Sequence, residues 1–412
     1  MKSFISKMAI LHVGLLASGL AVAQIAPPAA QRNPPASRRP CPAASQEDEL
    51  LSNASSLLEQ NRFSDAITLL QSQAQSRCDD RSDLLLAAAF DGEGDTASAI
   101  RTLRQALAVH PSNTSLATSL ARDELREGDL AAAKHAIAQC RPTQQTPQRE
   151  LRMIAMVYLE NQDLPHADEI AQLAWRADPS QENLLFAANV LQLEGRYMDV
   201  VSLLETHRHD YGDSPAFLIT IGESESDGKL YTPAERDLNR AVALAPDSYP
   251  AHYVLGNLLV ATGNLAGGIA EYQKAIAINP QQPRTYYQMG RALEQQNDTD
   301  QAQRDFQQAI AADSNYAPAY TEIGKLELRA GQLQPAVENL TRAIAINPAL
   351  QDSYYQLVQA YARLGQRDKS QAVMDQWNAY KKAHPLRRAG TRPEALGGAA
   401  DTDSASPKTP PQ

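Results

Sequence analysis

The fold of this chain is decided by three consecutive segments, PAHYVLGNLLVATGNLAGGIAEYQKAIAINP (residues 250–280), PRTYYQMGRALEQQNDTDQAQRDFQQAIAADS (residues 283–314) and PAYTEIGKLELRAGQLQPAVENLTRAIAINP (residues 318–348). They align without gaps at a period of 34 residues. Each contains two apolar patterns with helical spacing, separated by a turn residue. The same pattern continues on both sides of these segments and predicts a series of helix-turn-helix repeats.

Each repeat has one fixed turn position. Gly or Asn occupies most of these positions, and both residues tolerate the left-handed conformation that often ends a helix. Proline closes several repeats, because it cannot continue the preceding helix. The spacing predicts ten repeats over residues 46–382. The predicted turn residues are Asn61, Gly94, Gly128, Gln162, Gly195, Lys229, Gly263, Asn297, Gly331 and Gly365.

A small residue recurs five positions after each turn, and in most repeats a larger apolar residue follows four positions later. The small side chain lets the two helices approach closely, and the larger one fills the groove beside it. The small residues are Ala66, Ala99, Ala133, Ala167, Val200, Ala234, Gly268, Ala302, Ala336 and Ser370. The larger residues are Leu70, Leu103, Ile137, Leu204, Leu238, Tyr272, Phe306, Leu340 and Met374.

These features resemble the tetratricopeptide repeat (TPR). That family's pattern has an aromatic residue, Leu-Gly and Tyr on the first helix, then Ala, an aromatic residue, Ala and Pro on the second. One repeat matches it at Tyr286, Met289, Gly290, Ala302, Phe306 and Ala309. The resemblance covers about residues 47 to 380. It implies an all-α, right-handed superhelical solenoid of about ten repeats, with a concave groove that binds polypeptides.

The N-terminal residues have the pattern of an export signal. Lys2 and Lys7 precede an apolar stretch that is short for a membrane span, and Ala21, Val22 and Ala23 form a small-residue cleavage site. We therefore expect a signal peptide over residues 1–23 and a periplasmic or secreted protein. After cleavage, no integral membrane span is expected.

The segments beside the repeats are poor in large apolar side chains. Residues 24–45 and 383–412 are rich in Pro and Ala. Such segments cannot bury enough apolar surface to offset the entropy of ordering. We expect a disordered linker before the repeats and a disordered tail after them.

The sequence contains three cysteines, Cys41, Cys78 and Cys140. Cys41 lies just before the first helix of the first repeat and Cys78 follows its second helix, so antiparallel packing of the pair would bring them together. For an exported protein this predicts a Cys41–Cys78 disulfide. The alternative is a free Cys41 in the linker. Cys140 stands where other repeats place Ala, which indicates a small buried site.

The chain lacks the common signatures of catalysis. H-E-x-x-H, G-x-x-x-x-G-K-[ST], G-x-S-x-G and C-x-x-C are all absent. We therefore predict no enzymatic activity, no catalytic residue, no metal site and no cofactor. The formal net charge of −10 disfavours nucleic acid as a partner, because an acidic body repels phosphate groups.

The first helices of repeats seven to ten place aromatic rings beside basic groups, which suits a protein or peptide partner with an acidic or C-terminal carboxylate. These predicted groove residues are Tyr253, Asn257, Tyr287, Arg291, Lys325, Arg329, Tyr355, Gln359 and Arg363. TPR proteins that bind chaperone C-termini use a clamp of Lys, Asn and Arg; here Tyr253 replaces the first Lys and Asn257 keeps the Asn. Alternatively, the groove residues are merely solvated and their rings pack between repeats.

Two functions fit the sequence. The first is a non-catalytic scaffold or adaptor outside the cytoplasm that binds peptide or protein partners in the groove. The second is an accessory subunit of an envelope enzyme or of a machine for polysaccharide export or biosynthesis.

Overall fold

A computed structural model of the protein describes residues 44–72 and 80–384. Within these two ranges the chain forms 21 helices and no strand, which confirms the predicted all-α class. The predicted signal peptide and both cysteines of the predicted disulfide, Cys41 and Cys78, lie outside the described residues. The same holds for nearly all of the linker and the tail, so these assignments stay predictions.

The described residues divide into two compact units, one that ends at Val190 and one that begins at Leu191. In the first unit the helices are α1 Ala44–Glu59, α2 Phe63–Ser72, α3 Asp80–Glu93, α4 Thr96–Val109, α5 Thr114–Glu127, α6 Leu130–Ile137, α7 Gln148–Glu160 and α8 Leu164–Ala177. Helix α9, Gln181–Leu193, crosses the division. In the second unit they are α10 Tyr197–Thr206, α11 Arg208–Tyr211, α12 Pro215–Asp227, α13 Tyr231–Leu244, α14 Tyr249–Ala261, α15 Leu265–Ile278, α16 Pro283–Gln295, α17 Thr299–Ala312, α18 Ala317–Arg329, α19 Leu333–Ile346, α20 Gln351–Arg363 and α21 Arg367–Ala383.

Within each unit, neighbouring helices pack in pairs, and each pair packs on the next. The pairs of the first unit are α1/α2, α3/α4, α5/α6 and α7/α8. Those of the second unit are α12/α13, α14/α15, α16/α17, α18/α19 and α20/α21. Each helix buries its apolar face against its neighbours in sequence, which is the arrangement of a helical solenoid.

All ten predicted turn residues adopt the left-handed backbone conformation. Their φ angles run from +55° at Asn61 to +86° at Gly263. No other residue in the described ranges has a positive φ. The turn prediction is therefore confirmed at every repeat, including Gln162 and Lys229, whose side chains make this conformation unfavourable outside such a turn.

The predicted small residues mark the points where paired helices meet. In the eighth repeat, Ala302 on α17 is fully buried opposite Gly290 on α16. A Cβ atom at Gly290 would lie 2.7 Å from Cε1 of Phe306 and 3.1 Å from the carbonyl oxygen of Ala302. Glycine is therefore required at this position by the close approach of the ring and the backbone.

Gly290→Val is expected to destabilise the protein by roughly 1 to 3 kcal/mol, because the branched side chain must displace the Phe306 ring or the Ala302 backbone. Thermal or urea unfolding measures the change. Gln295→Val is a matched control, since it places the same β-branched side chain at an exposed position of α16. Equal losses in the two variants would show that the helices do not meet at Gly290.

Cys140 lies in the apolar core of the first unit, as its alanine-like position predicts. Burial raises the pKa of its thiol above the ordinary cysteine value. The thiol is therefore held in its neutral, unreactive form.

Candidate functional site

The predicted groove residues lie on four first helices of the second unit. These helices repeat at 34-residue intervals, and they place equivalent positions on the same side of each helix pair. Tyr253 and Asn257 are on α14, Tyr287 and Arg291 on α16, Lys325 and Arg329 on α18, and Tyr355, Gln359 and Arg363 on α20.

Tyr253 is buried within a cluster of tyrosine rings and is 6% exposed. Its ring stacks on that of Tyr249, with centroids 5.8 Å apart, and lies 6.1 Å from that of Tyr272. The Tyr272 hydroxyl donates a 2.8 Å hydrogen bond to Oδ1 of Asn257. Two predicted groove residues, Tyr253 and Asn257, are thus held in place by packing and hydrogen bonding within their own repeat.

Tyr287 occupies the equivalent position one repeat later and is also 6% exposed. Its ring lies 5.8 Å from that of Phe306 and meets Tyr316 edge-on at 5.7 Å. The guanidinium of Arg291 stands 6.0 Å above its centroid, within range of a cation–π interaction. Tyr287 therefore packs against Phe306 of its own repeat and Tyr316 at the start of the next one.

Arg284 lies on the same face, but it is not among the groove residues predicted from the sequence. It precedes Tyr287 by three residues on α16, so the two side chains lie on one side of the helix. Its guanidinium is 5.9 Å from the Tyr253 ring centroid. Burial lowers the pKa of Arg284, but the neighbouring tyrosine hydroxyls, led by Tyr253, raise it by more. The spacing of three residues between Arg284 and Tyr287 on α16 was the sequence signal that could have identified Arg284.

Two of the predicted groove cations are paired within the protein. The Lys325 ammonium lies 3.2 Å from Glu322 and 2.6 Å from Asp352. Burial lowers the pKa of Lys325, yet these carboxylates raise it above its ordinary value. Arg329 forms an ion pair with Glu294. Internal acids therefore compensate much of the positive charge that the sequence places here.

The predicted groove residues on α20 are exposed. Tyr355 is 43% exposed, and Gln359 is also exposed. Nη1 of Arg363 donates a hydrogen bond to the carbonyl oxygen of Leu328 at the end of α18. A partner could therefore reach Tyr355 and Gln359 without rearrangement of the repeats.

Sequence models of the repeat match the part of the chain that contains these side chains. A TPR repeat model matches residues 256–297, and two tetratricopeptide repeat models match residues 287–350 and 351–376. Residues 256–376 are tetratricopeptide repeats. The matched residues begin in α14 and end in α21, so they cover most of the last four repeats of this TPR protein.

Solved structures with similar folds also exist. Yeast Tom70 shares 13% sequence identity with this chain, and the two structures align with a TM-score of 0.45. The alignment covers 84% of this chain and 92% of the Tom70 chain. The Cut9-Hcn1 hetero-tetramer of the APC/C is 13% identical with a TM-score of 0.38, over 82% and 87%. MamA is 22% identical with a TM-score of 0.37, over 43% and 97%. These likenesses assign no function to the TPR chain, and no curated protein sequence matches it.

Among residues 44–72 and 80–384, no group of three or more His, Cys, Asp and Glu side chains is arranged to hold a metal ion. In the same ranges, no helix combines the length and apolar character needed to cross a membrane.

Proposed function

We propose that this TPR protein is a non-catalytic scaffold outside the cytoplasm, and that the groove face of its last four repeats binds an acidic or C-terminal segment of a partner protein. The observation that carries the proposal is the row of tyrosine and basic side chains on α14, α16, α18 and α20. Tyr and Arg are the residue types most enriched among side chains that dominate protein interfaces.

The architecture favours a polypeptide as the ligand. First helices spaced by one repeat present side chains along a line, and an extended or helical segment can contact several of them at once. Buried tyrosine rings give this surface a fixed shape, so little side-chain entropy is lost when a partner binds. Arg291, Arg329 and Arg363 lie at intervals along this face, and Arg329 would exchange its ion pair with Glu294 for an acidic group of the partner.

Export of the chain is the part of the proposal that rests on sequence alone. A basic pair, an apolar stretch and a small-residue site over residues 1–23 support a signal peptide. A scaffold in this location would assemble partners in the periplasm or outside the cell.

Photo-crosslinking from the groove face tests the proposal. A benzophenone amino acid at Tyr355 is expected to capture a protein partner in envelope extracts, because this side chain is exposed on α20. Arg291→Ala combined with Lys325→Ala is expected to reduce the yield, and the reduction should be greatest at low salt because charged contacts are screened by salt.

The matched control is the same amino acid at Tyr231, a comparably exposed tyrosine on the second helix α13. Equal capture from Tyr231 and Tyr355 would contradict binding at the groove face. Capture that disappears after polysaccharide digestion would instead support the accessory role in a polysaccharide machine.

A further inference from the structure

Arg284 differs from Lys325 and Arg329 in what surrounds it. Lys325 contacts two carboxylates and Arg329 one. The Tyr253 ring centroid lies 5.9 Å from the Arg284 guanidinium, and no carboxylate of the described residues forms an ion pair with Arg284. Within residues 44–72 and 80–384, this partly buried guanidinium thus has aromatic neighbours and no acidic partner.

The tyrosines cannot supply the missing negative charge. Burial raises the pKa of Tyr249, Tyr253 and Tyr316 above the ordinary tyrosine value. Their hydroxyls therefore stay protonated at physiological pH and act as neutral hydrogen-bonding groups. Arginine, by contrast, does not lose its proton in proteins. The result is a fixed positive charge in surroundings that solvate it poorly.

The rings also fix the position of Arg284. Its guanidinium lies over Tyr253, and Tyr253 stacks on Tyr249. The Tyr249 hydroxyl is hydrogen-bonded to Oγ1 of Thr285 at 2.8 Å, which ties α14 to the start of α16. A cation held in this way loses little freedom when it binds a ligand.

We infer that Arg284 is the receptor for one carboxylate of the bound polypeptide. The inference rests on the proposed peptide-binding function. It places the site that binds the carboxylate at Arg284, which is not one of the predicted groove residues. A planar guanidinium can hold a carboxylate through two parallel hydrogen bonds, and the poorly solvating aromatic surroundings strengthen that contact.

A carboxylate fits this position better than a phosphate group. Arg284 offers one positive charge, and the tyrosines around it add only neutral hydroxyls. One guanidinium neutralises a monovalent carboxylate, whereas a phosphate monoester near neutral pH carries up to two charges and calls for further cations. The acidic protein, with a net charge of −10, provides no general excess of positive charge to make up the difference.

Affinity selection with defined peptide mixtures tests the inference on the full chain. The probes are random dodecapeptides with a fixed central Glu and matched mixtures with Gln, each made with a free C-terminal acid or an amide. Retained peptides are measured by mass spectrometry. Wild-type protein is expected to favour at least one carboxylate-bearing mixture roughly 10-fold or more over the Gln amide mixture. Preference for Glu identifies a side-chain carboxylate, and preference for the free acid identifies a C-terminus.

Arg284→Gln is expected to abolish that preference. Arg284→Lys is expected to keep part of it, because lysine keeps the positive charge but lacks the planar guanidinium that holds a carboxylate through two hydrogen bonds. Arg304→Gln is the matched control, since Arg304 lies on the second helix of the same repeat and contacts Gln301. Circular dichroism confirms that each variant is folded.

The outcomes separate this inference from the proposed function. Retention of peptides without any carboxylate preference would leave the binding scaffold standing and overturn the role of Arg284. A preference that survives in Arg284→Gln would also overturn it. If wild-type protein retained none of the mixtures, both the inference and the proposed peptide groove would be contradicted.

Discussion

Phe306→Ala is expected to lower the free energy of unfolding by roughly 3 to 5 kcal/mol. Phe306 lies on α17 and is fully buried. Its ring fills the space left by the missing side chain of Gly290 and touches the ring of Tyr287. Truncation would remove both the apolar contact and the support for a tyrosine of the groove face. The measurement is urea unfolding of the purified chain.

Ile278→Ala is a suitable control, because Ile278 is a large apolar residue at the end of α15 that is 37% exposed. A much smaller loss is expected there. The double variant Gly290→Val with Phe306→Ala provides a sharper check, since the smaller side chain makes room for the valine. Its total loss should fall below the sum of the single losses, and strict additivity would contradict the contact.

The repeat could be predicted in detail because its signals are local. A left-handed turn residue, a small residue five positions later and a larger one four positions after that are all visible within one repeat. Asn61 and Gly365 stand near opposite ends of the series, and both have the predicted turn conformation. The first repeats lack the family's aromatic residue, yet Leu50 is buried in α1. Apolar character at the right spacing is sufficient there.

The sequence pattern could not predict which basic side chains of the site form ion pairs within the protein. The 34-residue register places Lys325 and Arg329 on the groove face, but each of them has an acidic partner that comes from another repeat. Lys325 pairs with Asp352 and Arg329 with Glu294. Whether a charge is compensated depends on side-chain geometry between helices, which the periodic pattern does not encode.

A buried acidic cluster in the second unit predicts an unusual dependence of stability on pH. Glu225 on α12 is almost fully buried, and its Oε2 has no hydrogen-bond partner among the described residues. Nearby Asp237 takes hydrogen bonds from Arg208 at 2.6 Å and Arg236 at 2.9 Å, whereas Arg208 is 4.0 Å from Glu225. The two arginines therefore compensate Asp237 more than Glu225.

Burial, together with the charge of Asp237, raises the pKa of Glu225 to about 7. Arg208 and Arg236 oppose this rise, and Glu205 adds to it weakly. At low pH the carboxyl is protonated in both the folded and the unfolded chain, so it does not affect stability. Between the unfolded and folded pKa values only the folded chain keeps the proton, so stability falls as pH increases. Above the folded pKa that loss is complete and amounts to roughly 3 kcal/mol.

Glu225→Gln should therefore stabilise the protein at pH 8 and have little effect near pH 4.5, because the amide is neutral like the protonated acid. Urea unfolding at the two pH values measures the difference, and hydrogen exchange in α12 reports it locally. Glu235→Gln, at an exposed position of α13, removes the same charge as a control and should show a much smaller dependence on pH. The same shift for Glu225→Gln at both pH values would mean that Glu225 does not titrate between them in the folded protein, and that Arg208 compensates it more fully than the 4.0 Å separation implies.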